Sequence, residues 1–68
     1  MKELKDAIEW LIRELEGCLE SAKAMMRRLE QKDLYYAVGE YKVLAMFLKQ
    51  ANTACRMVGN LLDKLIDP

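Results

Sequence analysis

Two apolar ladders run through this chain and restrict what it can become. The first takes in Leu4, Ile8, Leu11, Leu15, Cys18, Ala22, Met25 and Leu29; the second takes in Leu34, Ala37, Tyr41, Leu44, Leu48, Ala51, Cys55, Val58, Leu62 and Leu65. Each climbs by alternating 3- and 4-residue steps, a spacing close to one helical turn, so each lies along one side of one helix. A row held in phase for that length also lets two helices pack lengthwise. Tyr35, Tyr36, Val38, Tyr41 and Val43 favour strands intrinsically, but apolar residues do not recur at every second position. The fold class expected is all-α.

The polar interval Glu30-Gln31-Lys32-Asp33 separates the ladders. Asp33 is the best N-cap in the chain, because its carboxylate can accept from the unpaired amides of the turn that follows. Helix 1 is expected over 2–31 and helix 2 over 34–66, closed by Asp67-Pro68. So short a connection makes them antiparallel neighbours: a helical hairpin forming one domain over 1–68. Gly17, Gly39 and Gly59 stand alone, without proline or polar clusters beside them. Both helices should therefore run on, with Gly39 the place where helix 2 would break if it broke.

A hairpin has one internal interface, which is a poor way to hide a chain that is 53% hydrophobic. Rows flanking the ladders are apolar too: Ile12, Leu19 and Met26 on helix 1, and Phe47, Ala54 and Leu61 on one flank of helix 2 with Val38, Ala45 and Ile66 on the other. The second ladder is also the longer, so residues beyond Gly59 should overhang helix 1. Dimerisation into a four-helix bundle answers both problems. The expected oligomer interface is Tyr41, Phe47, Leu48, Ala54, Val58, Leu61, Leu62, Leu65 and Ile66. Asn52, beside the seam, could set its register. Val43, Met46 and Met57 form an outer patch suited to a further protein partner, since methionine adapts to the shape it meets.

Chemistry is sparse. Without histidine there is no Ser-His-Asp or Cys-His arrangement and no histidine-bearing metal site. Cys18 and Cys55 sit on the ladders as small hydrophobes, about ten residues out of axial register, too far for a disulfide within one chain. Glu9, Glu16 and Glu20 lie on outward rows, whereas a metal-binding bundle needs acids pointing inward. The solitary glycines make no phosphate-binding loop. No catalytic residue, metal or cofactor is expected.

Eleven basic and eleven acidic residues cancel, so no global field favours nucleic acid or an anionic membrane. Locally, six acids against three bases from Lys2 to Glu20 give way to four bases against one acid from Ser21 to Lys32, a polarity that suits the dipole of one helix. Lys42, Lys49 and Arg56 recur every seven residues, with Tyr35 seven before them. Joined by Lys23, Arg27, Arg28 and Lys32 they could follow a nucleic-acid backbone, Tyr35 stacking on an unpaired base. The longest apolar run, Val43 to Leu48, is six residues, against roughly 20 for a membrane span. With charges crowding Lys2 to Asp6 in place of a leader, a cytoplasmic protein is expected. The leading reading is a noncatalytic protein-interaction or regulatory module acting as a homo-oligomer. The alternatives are a nucleic-acid-binding dimeric hairpin and a subunit of a larger hetero-complex.

Overall fold

The computed structural model describes residues 1–66 and contains two α-helices, α1 over Lys2–Glu30 and α2 over Leu34–Ile66. They form an antiparallel hairpin whose Cα trace extends 53 × 14 × 12 Å. The expected stop at Asp67-Pro68 lies outside the described residues. The α2 helix is unbroken through Gly39 and Gly59, and α1 through Gly17.

Alanine, leucine, methionine, glutamate, lysine and arginine make up most of α1 and are strong helix formers. Glu3 in its first turn and Arg27 and Arg28 in its last complement the dipole. The helix ends in a Schellman motif: Lys32 N–H donates to the Leu29 carbonyl at 2.9 Å, and Asp33 N–H to the Arg28 carbonyl at 2.9 Å. That closure puts Lys32 in the left-handed region, with φ 58°. Asp33 then caps α2, Oδ1 accepting from the Tyr36 N–H at 3.2 Å. The chain thus reverses in the three residues between the helices.

The seam is made of different rows from those expected, by half. Leu4, Leu11, Cys18 and Met25 of α1 and Ala37, Leu44, Ala51 and Val58 of α2 are buried or half-buried, as the ladders require. The second seam row is Ala7, Glu14, Ser21 and Arg28 on α1 and Glu40, Phe47, Ala54 and Leu61 on α2. Each helix is turned by about half a residue step, roughly 50°, and Ile8, Leu15, Leu29, Tyr41, Leu48 and Leu62 are left exposed. Small side chains explain the rotation. Ala7, Ser21, Ala37, Ala51 and Ala54 are the buried residues of the hairpin, and short side chains let two helix backbones approach where Leu and Ile would hold them apart.

Axial register follows from three contacts. Gly17 lies against the Phe47 ring, the Arg28 guanidinium stands 3.8 Å from the Glu40 carboxylate, and Leu4 and Leu61 line one cleft. The first turn of α1 therefore reaches Leu61, Lys64 and Leu65, and the overhang expected beyond Gly59 is largely matched by α1. It was overestimated because the first ladder begins at Leu4 while the helix begins at Lys2.

Candidate interaction face

In both helices the exposed apolar row follows a seam row by one residue. Ile8, Leu15, Ala22 and Leu29 follow Ala7, Glu14, Ser21 and Arg28; Tyr41, Leu48, Cys55 and Leu62 follow Glu40, Phe47, Ala54 and Leu61. Right-handed helices running in opposite directions turn such rows to the same side of their common plane. A further step round lie Ile12, Leu19 and Met26 on α1 and Val38, Ala45 and Ile66 on α2. One broad apolar face results, running the length of the hairpin. Leu19 on it is 55% exposed and Leu48 is 58% exposed.

No large side chain of the described hairpin is fully buried. A compact monomer of 7.9 kDa exposes about 4,400 Å² by the usual scaling of surface with mass, whereas this chain exposes 5534 Å². The surplus, roughly 1,100 Å², exceeds the ~800 Å² that each partner commits to a standard protein interface.

The nine residues expected at an oligomer interface divide into two groups. Ala54 is fully buried inside the hairpin, and Phe47, Val58 and Leu61 are half-buried along its seam. Tyr41, Leu48, Leu62, Leu65 and Ile66 are exposed, and their rows place Tyr41, Leu48, Leu62 and Ile66 on the apolar face. Sequence reasoning passed over Ile8, Leu15 and Leu29 on α1, which it had assigned to the hairpin seam. Small residues recurring fourteen positions apart, Ala7 with Ser21 and Ala37 with Ala51, were the available signal.

The opposite side of the hairpin is mixed in character. Val43, Met46 and Met57 are exposed there, but Met57 is about 16 Å along α2 from Met46 and about 21 Å from Val43. Met57 lines an open groove of about 530 Å³ with Trp10, Ala7 and Leu61, edged by Glu3, Asp6, Asn60 and Lys64. The indole of Trp10 donates from Nε1 to Glu14 Oε1 at 3.2 Å.

The basic residues are dispersed. Lys42, Lys49 and Arg56 follow the outer edge of α2 with Tyr35, pointing away from α1. Lys23 is on the outer edge of α1, 3.9 Å from Glu20. Arg28 is folded into the seam, paired with Glu40 and set 5.0 Å from the centroid of the Tyr36 ring. Tyr35 stacks edge-on against Tyr36 at 5.6 Å. A single hairpin therefore does not bring Lys23, Arg27, Arg28 and Lys32 onto one surface with Lys42, Lys49 and Arg56.

Among the described residues, no group of three or more Cys, Asp or Glu side chains is placed to hold a metal ion. Cys18 and Cys55 are free thiols, and no described helix is long and apolar enough to cross a membrane. The chain matches no protein-family model, no curated protein and no solved structure. Geometry alone carries the functional reading.

Proposed function

We propose that the protein is a noncatalytic interaction module that acts as a homo-oligomer, its apolar face closing on the same face of a second copy to make a four-helix bundle. The observation that carries this reading is a continuous apolar face on a hairpin whose buried residues are all small, its larger seam side chains being only half-buried. Burying apolar surface yields about 25 cal/mol per Å². The alanines and half-buried leucines of the seam supply only part of it, while Ile8, Leu15, Leu19, Leu48 and Leu62 remain on the open face. A second copy covers them with an identical surface, and two-fold closure leaves no further apolar face to recruit more copies.

Analytical ultracentrifugation from micromolar to near-millimolar chain tests the reading. The expected species has twice the 7.9 kDa chain mass, and its helical signal falls on dilution as the dimer dissociates. A cooperatively folded monomer across that whole range overturns it. Copurification of a different protein in stoichiometric amount would favour the hetero-complex alternative. Salt-sensitive, nuclease-labile binding that depends on Lys42, Lys49 and Arg56 would favour the nucleic-acid alternative.

A further inference from the structure

We infer that in this dimer α1 of each copy packs against α2 of the other, with the two-fold axis parallel to the helices, and that the charged outer rows select this arrangement. The inference rests on the self-association proposed above and specifies its partner surface and register.

Two closed ways of joining the apolar faces exist. With the axis along the helices, α1 lies beside the partner copy's α2. With the axis across them, α1 lies on its own counterpart and α2 on its own. In either case the row bordering the new seam is the one on the outer edge of each helix. On α1 that row is Lys2, Glu9, Glu16, Lys23 and Glu30; on α2 it is Tyr35, Lys42, Lys49, Arg56 and Asp63. All of these residues are exposed, and within one hairpin the two rows are on opposite edges.

An axis along the helices leaves every residue at its own level, so the register of the hairpin carries over to the contact between copies. Gly17 against Phe47 and Leu4 sharing a cleft with Leu61 set the levels to within about one residue, roughly 1.5 Å, which brings Lys2 beside Asp63, Glu9 beside Arg56, Glu16 beside Lys49 and Lys23 beside Lys42. Three of these four charged rungs pair opposite signs, and each occurs twice in the dimer. The crossed arrangement would instead oppose Lys42 to Arg56 and Lys49 to its own copy, stacking cations along the α2 contact. Like charges so placed disfavour the wrong pairing even where the right pairs add little affinity.

Two double variants test this in the full chain: Glu9→Lys with Glu16→Lys, and Lys49→Glu with Arg56→Glu. All four side chains are exposed and distant from the seam, and circular dichroism at high concentration checks that each variant remains helical. Each variant alone should dimerise about tenfold more weakly than the parent at low ionic strength, several exposed pairs having been turned repulsive together. The deficit should shrink in high salt. Mixed in equal amounts, the two should form a heterodimer about as tight as the parent, because each reversed row then meets the reciprocally reversed row and each unaltered row meets an unaltered one. Tighter dimerisation of the Lys49→Glu, Arg56→Glu variant overturns the inference in favour of the crossed arrangement. Parent-like dimerisation of both variants overturns the charge-selected register while self-association stands. A monomeric parent removes self-association itself.

Discussion

Gly17 and Phe47 are in direct backbone-to-ring contact: a Cβ built on Gly17 would lie 2.5 Å from Cδ1 of Phe47 and 2.6 Å from Cε1. The glycine has an ordinary helical backbone, with no positive φ, so conformational freedom is not the reason for it. Absence of a side chain is. The aromatic ring uses that space, and the contact sets both the separation and the register of the helices near mid-seam.

Gly17→Ala is therefore expected to destabilise the protein. Alanine improves helix propensity by about 1 kcal/mol, but forcing a methyl group into the ring costs about 1 to 3 kcal/mol, for a net loss of about 1 kcal/mol. Gly39 has nothing within 4 Å of its own Cβ position, so Gly39→Ala should gain about 0.5 to 1 kcal/mol. Denaturant titrations at a fixed chain concentration read both, since dissociation is linked to unfolding. Equal effects of the two substitutions would count against the Phe47 contact.

At the turn, Lys32→Gly should raise stability by about 0.5 to 1 kcal/mol, because it removes a Cβ from a left-handed residue and keeps the Schellman hydrogen bonds. Asp33→Ala should lower it by about 1 kcal/mol through loss of the cap on the Tyr36 amide. Thermal melts of the two variants should move in opposite directions. A melting temperature unchanged in both would show that the turn does not limit stability.

Arg28 connects the end of α1 to α2 through Glu40 and Tyr36. Since the ion pair is partly exposed and 3.8 Å long, Arg28→Lys should cost no more than about 1 kcal/mol, with most of the loss from the ring contact. A Tyr36→Leu, Arg28→Lys double-mutant cycle isolates that coupling; additive losses would deny it.

On the apolar face, Leu48→Asp should shift the protein to monomer and reduce its helical signal at micromolar concentration. A buried, unpaired carboxylate is too costly for the closed dimer to retain. Lys42→Asp, on the outer edge of the same helix, replaces the like-charged Lys23–Lys42 rung by an opposite pair and should leave association intact or slightly tighter. The sedimentation profiles of the two variants separate loss of the apolar contact from a general charge effect.

Helix content, the turn at residues 31–33, the Asp33 cap and the antiparallel arrangement were legible from ladder spacing and turn chemistry. Which rows formed the seam was only half legible. Ile8, Leu15, Tyr41 and Leu48 occupied ladder positions as regularly as Leu4, Leu11 and Leu44 did, so periodicity could not rank one pair of rows above the other. Arg28, expected among nucleic-acid contacts, is half-buried together with Glu14, because a long side chain can bury its stem beside the seam while keeping its polar end solvated or paired.

By itself, then, the sequence determined that there are two helices, where they turn, and that their combined apolar surface exceeds what one hairpin can cover. These properties are local or additive: they follow from spacing, capping and composition. The rotation of each helix about its axis was decided only by tertiary packing. Close approach depended on small Ala7, Gly17, Ser21, Ala51 and Ala54 lying along the seam, with Phe47 seated on a bare backbone. That rotation turned the large aliphatic rows to one common side and made the surplus a single continuous face.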